Sequence, residues 1–294
     1  AAIWKHMEKL REEGYEIEAI PHLGYKLIAI PDILIPSEIK WKLKAKIFGK
    51  EIISYKKVDS TNDVAYELAE KGVREGAVIL AEEQAKGKGR HGRRWISPSK
   101  SGIYMSCILR PHIAPNEIPR ITLLAAVAVT MAIREVTGLE ALIKWPNDIM
   151  IEARKLCGIL TEMKAEQDSV DFVVVGIGVN VSTPSKNLPK GASSLKDELR
   201  RRGIKTAVSR TELVKRILEM LEEYYDILGK KGFEPIIDAW KDLTAMLGAR
   251  VKVILPNRNF EGQVHDINPD GALVVRLDSG VLEKVSSGDV VIIR

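Results

Sequence analysis

The pattern of apolar residues changes near residue 248, and this change is the strongest constraint on the fold. From residue 37 to 246 strand-like and helix-like patterns alternate, whereas from Gly248 onward the chain holds only short strand-like runs. The turn sequences between those runs are Pro256-Asn257, Asn268 to Gly271 and Asp278 to Gly280. The pattern predicts a small C-terminal SH3-like β-barrel at residues 247–294.

A second change lies between Pro31 and Pro36, where two prolines bracket a linker. Upstream, residues 2–13 have helical spacing, and residues 15–20 and 24–28 alternate like two strands. A helix followed by a β-ribbon is typical of the back half of a winged helix. We therefore expect a partial winged helix at residues 1–30.

Composition excludes few functions. A chain of 294 residues with 45% hydrophobic and 29% charged residues is typical of an ordinary soluble protein. The net charge of +5 permits acidic partners such as nucleotides or DNA but selects none of them. The apolar run from Ile121 to Ile133 is too short to span a bilayer, so a buried helix is expected there and no membrane partner.

The two cysteines, Cys107 and Cys157, lie inside apolar runs and lack zinc-ligand spacing. They favour a reducing cytoplasm without a disulfide framework. The chain opens on Ala1-Ala2 without an initiator Met, which suggests that the natural chain starts elsewhere.

A basic, glycine-rich segment runs from Gln84 to Trp95, directly after the strand-like run Ala77 to Ala81. Its part from Lys86 to Arg94 carries five positive charges and three glycines but no acid. Glycine lets the backbone approach a ligand closely, and Arg forks can then neutralise phosphate or carboxylate oxygens. The alternatives are a solvated basic loop and one that touches nucleic-acid phosphates nonspecifically.

Polar residues also mark the start of one helix and the end of one strand. Asp59 to Asn62 precedes an amphipathic run, so N-capping by Ser60 or Thr61 would explain these residues structurally. In Lys144 to Asp148, Pro146 breaks the strand and presents Asn147 and Asp148 at its edge. These two could contact a nucleotide, Mg²⁺ or a ribose hydroxyl, or could form a plain β-turn.

Two further features lie in strand-like runs. Lys155 has apolar neighbours, so it either extends to solvent or points its charge into a pocket. Val173 to Val181 is an apolar strand with Gly176 and Gly178 on one face. Their missing side chains make room for a flat ligand, another backbone or a closely packed helix. No third glycine opens a helix there, so this is not a dinucleotide-binding fingerprint.

Taken together, these segments resemble the biotin–protein ligases in order and spacing, over essentially the whole chain. The family loop Gly-Arg-Gly-Arg-Arg-Gly-Arg stands here as Gly87-Lys-Gly-Arg-His-Gly-Arg93. Ala1 to Leu10 resembles the recognition helix of the bifunctional ligase and biotin operon repressor, and Gly24 to Leu27 resembles its wing. The first helices of that winged helix are missing from the sequence.

The resemblance implies an α+β fold with a central mixed-sheet, class II synthetase-like catalytic domain at residues 36–246. It also implies an enzyme that makes biotinyl-5′-AMP from biotin and Mg-ATP with release of pyrophosphate, and then biotinylates a lysine of a biotin carboxyl carrier protein. A homodimer and, with a complete winged helix, binding to biotin operator DNA follow as expectations. The alternatives are a biotin-sensing regulator without ligase activity, a lipoate or octanoate transferase, and a nonspecific nucleic-acid module.

The resemblance also assigns residues to the site. The catalytic residues that it implies are Lys155, Arg90, Arg93 and Asp148. The binding residues that it implies are Ser60, Thr61, Asn62, Gln84, Gly87, Lys88, Gly89, Arg90, Trp95, Asn147, Lys155, Gly158 and Asn180.

Roles follow by the same resemblance. Residues 60–62 face the ureido ring of biotin, Gln84 and the backbone of residues 88–90 line the same pocket, and Lys155 holds the carboxyl oxygen. The roles on the nucleotide side are phosphate binding by Arg90 and Arg93, packing near adenine by Trp95, nucleotide contacts by Asn147 and Asn180, and binding of Mg²⁺ or the incoming amine by Asp148. Lys88 and His91 replace arginines of the family loop; Lys88 turns a bidentate contact into a point charge.

Overall fold

The computed structural model describes residues 2–166 and 169–293. The chain divides into two compact units, Ala1–Ile33 and Leu34–Arg294, which are described separately.

The N-terminal unit contains one helix and one antiparallel hairpin. Its elements are helix α1 (Ala2–Glu12) and strands β1 (Glu16–Ile20) and β2 (Gly24–Ala29). The expected helix and both strands are thus confirmed. Arg11 ties the helix to the hairpin because its guanidinium donates to the carbonyl of Ile17 at 2.7 Å.

The second unit is larger and contains the remaining elements. Its helices are α2 (Pro36–Lys40), α3 (Thr61–Glu70), α4 (Ile118–Thr137), α5 (Leu195–Arg201), α6 (Arg210–Lys231) and α7 (Glu234–Asp242). Its first strands are β3 (Ile52–Tyr55), β4 (Val78–Ala81), β5 (Gly102–Leu109), β6 (Leu142–Lys144), β7 (Asp148–Ile151), β8 (Arg154–Glu166) and β9 (Ser169–Asn180). Its last strands are β10 (Arg250–Ile254), β11 (Asn259–Ile267), β12 (Leu273–Arg276), β13 (Leu282–Val285) and β14 (Asp289–Ile292).

The first seven of these strands form one sheet in the order β3-β4-β5-β9-β8-β7-β6. Strands β3 and β4 pair in parallel and the other neighbours pair antiparallel, so the expected mixed sheet is confirmed. The register sets Gly176 opposite Ser106 on one side and Leu160 on the other. This alignment places three neighbouring strands side by side beneath the start of α3.

Helices cover both faces of this sheet. On one face α3 packs Ala65 and Ala69 against Ile79 and Ile108. On the other face α4 and α6 belong to the large core, which explains why the central strands are apolar on both faces.

Helix α4 confirms the buried helix expected at Ile121 to Ile133. The segment Pro115–Thr137 is long and apolar enough to cross a membrane by length and composition, but 61% of its apolar window is buried inside the protein. Its apolar composition is accounted for by its place in the core.

The last five strands form a separate antiparallel sheet in the order β13-β12-β11-β10-β14. The five predicted strands are confirmed. In β10 burial alternates, with Val251 and Val253 buried and their neighbours exposed, as expected for a strand with one covered face. The indole Nε1 of Trp145 donates to the carbonyl of Gly271 at 3.0 Å and joins this sheet to the central one.

Candidate active site

A cavity of about 500 Å³ lies over strands β8 and β9. Every site residue predicted from the sequence except Gly87 lines it. The lining members of that set are Ser60, Thr61, Asn62, Gln84, Lys88, Gly89, Arg90, Arg93, Trp95, Asn147, Asp148, Lys155, Gly158 and Asn180. Gly87 is absent from the lining. A Cβ there would lie 2.6 Å from the carbonyl oxygen of Trp95, so glycine at this position lets the loop close on itself.

The N-terminus of α3 forms one end of the cavity. The helix begins at Thr61, and Ser60 occupies the N-cap position, but its side chain makes no capping hydrogen bond. The expected N-cap position of Ser60 is therefore confirmed, but its side chain does not satisfy the helix N-terminus. The amide oxygen of Gln84 instead accepts from the Thr61 N–H at 2.9 Å and from the Thr61 hydroxyl at 3.1 Å.

Asn62 is held from both ends of its side chain. Its Nδ2 donates to Oε2 of Glu162 at 2.7 Å, and its Oδ1 accepts from the hydroxyl of Ser106 at 2.7 Å. Ser106 also lies 2.8 Å from the Thr61 hydroxyl oxygen. All three residues of the 60–62 segment are buried. They lie on a fixed polar framework rather than on a mobile surface.

The glycines of β9 form the floor and admit side chains from above. A Cβ on Gly176 would lie 2.0 Å from Oδ1 of Asn62, and a Cβ on Gly178 would lie 2.5 Å from Nε1 of Trp95. The space above Gly176 is therefore taken by a residue of helix α3, which confirms the alternative of a closely packed helix. The space above Gly178 is taken by the indole of Trp95, which the sequence did not indicate. The indole Nε1 of Trp95 is buried and has no hydrogen-bond partner.

The cations of the glycine-rich loop are all held by acceptors. Lys88 pairs with Asp63, and Arg93 pairs with Asp289 of β14. Arg90 donates to Oδ1 of Asn147 at 3.2 Å and to the carbonyl of Gly288 at 3.3 Å. The interpretation as a purely solvated basic loop is wrong because this loop closes the cavity against the C-terminal sheet.

Electrostatics differ among these cations. Burial lowers the pKa of the Arg90 guanidinium from its ordinary value, although Asp289 and Asp148 oppose that change. The hydrogen bonds that Arg93 donates to the Asp289 carboxylate raise the pKa of the Arg93 guanidinium. His91 is exposed and adopts a positive φ of 55°. His91 does not line the cavity.

The turn between β6 and β7 places Asn147 and Asp148 together. The β-turn interpretation is correct for the backbone, but Asn147 also donates to the carbonyl of Ile159 at 2.7 Å and accepts from Arg90. Asp148 forms an ion pair with Lys155, with 2.5 Å between Oδ1 and Nζ. The Lys155 ammonium also lies 5.5 Å above the ring centroid of Trp95. Lys155 therefore points into the cavity rather than extending to solvent.

The segment from Leu188 to Ala192 forms another wall that the sequence did not indicate. The Lys155 N–H donates to the carbonyl of Gly191 at 2.8 Å, and the Ser193 N–H donates to the carbonyl of Lys155 at 2.9 Å. Asn180 donates to the Ser193 carbonyl at 3.1 Å. Residues 191–193 thus hold the backbone of Lys155 on one side, and Met150 of β7 is its neighbour on the other.

Several contacting residues were missed by sequence reasoning. They are Ser106, Glu162, Lys144 and Asp289. Lys144 is the first residue of the segment Lys144 to Asp148, so the sequence could have indicated it together with Asn147. The others come from distant strands and carry no local signal.

Behind Lys155, a buried carboxylate anchors β8 to α5. Glu198 is fully buried and accepts from Arg154 at 2.7 Å and 2.9 Å. Burial alone would raise the pKa of this carboxyl, but hydrogen bonds from Arg154 and Ser193 and the charge of Arg154 outweigh it and lower the pKa to about 2.

Glu198→Gln is expected to lower the free energy of unfolding by about 3 kcal/mol at pH 7. A depressed carboxyl pKa stabilises the fold above its unfolded value of 4.5, and that stabilisation is lost as the pH falls toward 2. Urea unfolding of both proteins between pH 7 and pH 2 should therefore show their difference shrink with acid. The control is Glu223→Gln at an exposed position of α6, which is expected to leave the free energy of unfolding unchanged. If the difference in free energy of unfolding between wild type and Glu198→Gln does not change with pH, the prediction is wrong.

Among residues 2–166 and 169–293, no group of three or more His, Cys, Asp or Glu side chains is placed to hold a metal ion. The polar lining consists of cations, amides and hydroxyls, with Asp148 and Asp289 already paired to cations. Such a set suits an anionic ligand.

The chain is similar to known protein families and relatives. Residues 54–180 match the model of the biotin/lipoate A/B protein ligase family, and residues 246–292 match that of the biotin protein ligase C-terminal domain. The bifunctional ligase/repressor BirA of Bacillus subtilis is 38% identical over 98% of this chain and 88% of its own length. BirA of Escherichia coli is 27% identical over 99% of this chain and 88% of its own length.

The fold is shared with solved structures. Biotin protein ligase from Aquifex aeolicus in complex with biotin and ATP superposes with a TM-score of 0.70 and 27% identity. The match covers 83% of this chain and 99% of that one.

Proposed function

The chain belongs to the biotin–protein ligase family, and from that premise we propose how its cavity works. The protein is an ATP-dependent ligase that activates biotin to biotinyl-5′-AMP and then transfers the biotinyl group to a lysine of a biotin carboxyl carrier protein. The observation that carries this proposal is Lys155, whose ammonium lies between Asp148 and Trp95 below a loop of arginines.

In the first step a biotin carboxylate oxygen attacks the α-phosphorus of ATP. A new C–O–P linkage forms, and the bond to the β-phosphate oxygen breaks, so pyrophosphate leaves with its electron pair. Catalysis of this step is mostly positioning and charge stabilisation, because no covalent enzyme intermediate is needed. We propose that the Lys155 ammonium binds the biotin carboxylate. That contact would replace part of its ion pair with Asp148.

Arg90 and Arg93 are proposed to bind the phosphates. Their present partners are a side-chain amide, a carbonyl and the Asp289 carboxylate. Phosphate oxygens are stronger acceptors for a guanidinium fork than an amide or a carbonyl. Binding of ATP would therefore exchange the two Arg90 contacts for phosphate contacts and hold the loop over the reacting atoms, while Arg93 would reach the phosphates from its ion pair with Asp289.

Residues 60–62 and Gln84 are proposed to hold the biotin ring, with Gly87 to Gly89 closing the loop over it and Gly158 leaving room below. Trp95, Asn147 and Asn180 are proposed to border the nucleotide. Trp95 lies across Gly178, so its flat face gives an apolar wall.

In the second step the carrier lysine attacks the acyl carbon of the adenylate. A C–N bond forms, the acyl C–O bond breaks, AMP leaves with the electron pair, and the attacking amine releases one proton. Lys155 is then placed to stabilise the oxyanion that develops on the same carbonyl.

Asp148 does not fit a protein-held Mg²⁺. Its Oδ1 lies 2.5 Å from the Lys155 ammonium, and a divalent cation bound there would be repelled by that positive charge at close range. We propose that Mg²⁺ arrives with the ATP phosphates as part of the substrate, and that Asp148 orients Lys155.

A second role concerns DNA. Two relatives are named bifunctional ligase/repressors, and α1 with the β1–β2 hairpin has the order of a winged-helix back half. We propose that residues 1–30 belong to a winged helix that binds a biotin operator, that residues 36–246 form the catalytic domain, and that residues 247–294 form an SH3-like barrel. A homodimer in the cytoplasm, without a membrane partner, completes the proposal.

Two alternatives make different predictions. A lipoate or octanoate transferase would act on an acyl chain without ureido donors, and a regulator that only senses biotin would release no pyrophosphate. The site favours the ligase because Lys155, Arg90 and Arg93 lie around one cavity.

The test uses labelled biotin, Mg-ATP and a purified biotin carboxyl carrier domain. We expect label on the carrier lysine and one pyrophosphate per biotin transferred. Label without ATP, or labelling from octanoate or lipoate instead of biotin, would contradict the proposal. Gel shifts with operator DNA, with and without biotin, test the second role separately.

A further inference from the structure

Helix α5 carries two adjacent carboxylates, Asp197 and Glu198, that the proposed reaction does not use. Neither lines the cavity, but the segment shortly before the helix does, since Leu188 to Ala192 form one of its walls. We call this segment the 188–192 wall. Each carboxylate fixes one end of the wall, and the contacts at the two ends are different.

Asp197 holds the start of the wall. Its Oδ2 accepts from the backbone N–H of Ser185 at 2.8 Å and from the Ser185 hydroxyl at 2.5 Å. Ser185 lies shortly before the wall in the chain, so these contacts close a loop that runs from Ser185 through the wall to α5. Hydrogen bonds to an ionised acceptor are stronger than those between neutral groups. Asp197 therefore fixes where the wall begins.

Glu198 holds the other end of the wall through strand β8. Its two oxygens accept from the Arg154 guanidinium at 2.7 Å and 2.9 Å, and Arg154 directly precedes Lys155 in the strand. Neighbouring residues of a strand point to opposite faces, so Arg154 is anchored on one face while Lys155 enters the cavity on the other. Because a two-pronged contact has a fixed direction, it sets where α5 lies against β8.

Ser193 joins the end of the wall to two residues of the proposed site. Its N–H donates to the carbonyl of Lys155 at 2.9 Å, and its own carbonyl accepts from Nδ2 of Asn180 at 3.1 Å. Ser193 is fully buried, and Ser194, the N-cap of α5, follows it directly. A displacement of α5 would therefore move the wall relative to both Lys155 and Asn180.

We infer that Asp197 and Glu198 are positioning residues for the nucleotide side of the cavity, because together they fix both ends of the 188–192 wall. This inference rests on the proposed function, in which Asn180 borders the nucleotide. When a binding site is formed in only a fraction of the molecules, its apparent affinity falls by that fraction. Loosening the wall is therefore expected to weaken ATP binding and to leave biotin binding, which we place at residues 60–62 and Gln84, unchanged.

The test replaces Asp197 by alanine and by asparagine and measures steady-state pyrophosphate release, with the second substrate saturating. Asp197→Ala removes the acceptor and is expected to raise KM for ATP by about tenfold, with kcat and KM for biotin within about twofold of the wild type. Asp197→Asn keeps an oxygen that can accept from both Ser185 donors, so KM for ATP is expected to stay within about threefold. Both variants lose the same negative charge, so a difference between them reports the position of the wall.

Asp226→Ala is the matched control. Asp226 lies on α6 and pairs with Lys230 at 2.7 Å, away from the cavity, so its loss is expected to leave kcat and both KM values unchanged. An unchanged KM for ATP in Asp197→Ala, equal increases in both KM values, or equal effects of alanine and asparagine would each overturn the inference. A wild type that releases no pyrophosphate with biotin would instead overturn the proposed function.

Arg154→Lys tests the other end of the wall without leaving the buried Glu198 carboxylate unpaired. Lysine keeps the positive charge but cannot reproduce the two-pronged contact. KM for ATP is expected to rise by about threefold while KM for biotin stays at the wild-type value. A wild-type KM for ATP in this variant would overturn the positioning role of Glu198.

Discussion

Lys155→Met is expected to reduce kcat for biotinyl-adenylate formation by roughly 10²–10³-fold, the usual effect of removing one preorganised group that stabilises developing charge. Lys155 is the ammonium that we place against the biotin carboxylate, and it is held in the sheet by hydrogen bonds to Gly191 and Ser193. Methionine keeps the length and apolar contacts of the side chain but not the charge. Single-turnover formation of the adenylate is the measurement.

Removing Lys155 also leaves the Asp148 carboxylate without its cation, which by itself would repel an anionic substrate. The double variant Lys155→Met with Asp148→Asn removes both charges and separates the two effects. We expect no recovery of kcat in the double variant. Recovery to within tenfold of the wild type would show that Lys155 merely neutralises Asp148.

Lys164→Met is the matched control. Lys164 lies on the same strand, β8, and pairs with Glu70 at 3.2 Å, away from the cavity. Its replacement is expected to leave kcat and both KM values unchanged. Equal losses in the two methionine variants would point to damage to β8 rather than to a role of Lys155 in the reaction.

The candidate site was predictable where its residues form continuous segments. Ser60 to Asn62, the loop from Gln84 to Trp95 and the turn at Asn147 each carry a local pattern of polar residues, glycines or charge next to an apolar run. The structure brings all three around one cavity.

What the sequence could not indicate depends on pairing between distant strands. Ser106 is an ordinary serine within an apolar strand, and it meets Asn62 only because β5 lies below α3. Asp289 lies 196 residues from its partner Arg93. The sequence placed Ser60 correctly at the N-cap but could not indicate that the Thr61 N–H donates to Gln84, which comes from a distant part of the chain.

Close packing between distant parts of the chain also predicts a large effect of substituting Gly176. Gly176→Ala places a Cβ 2.0 Å from Oδ1 of Asn62 and 2.8 Å from its Cγ. Asn62 cannot move aside easily, because Ser106, Glu162 and the Leu160 carbonyl hold both ends of its amide. Relief of the overlap requires either breaking these bonds or shifting β9.

We therefore expect Gly176→Ala to lower the free energy of unfolding by about 2 kcal/mol and to raise KM for biotin on the order of 100-fold. Urea unfolding and pyrophosphate release measure the two effects. Gly229→Ala is the control, since Gly229 is exposed in α6 and a Cβ there meets nothing within 4 Å. Removing a flexible glycine from a helix should instead stabilise the protein by about 0.5–1 kcal/mol. Wild-type biotin KM in Gly176→Ala would mean that Asn62 can leave its place without loss, and that biotin binding does not depend on it.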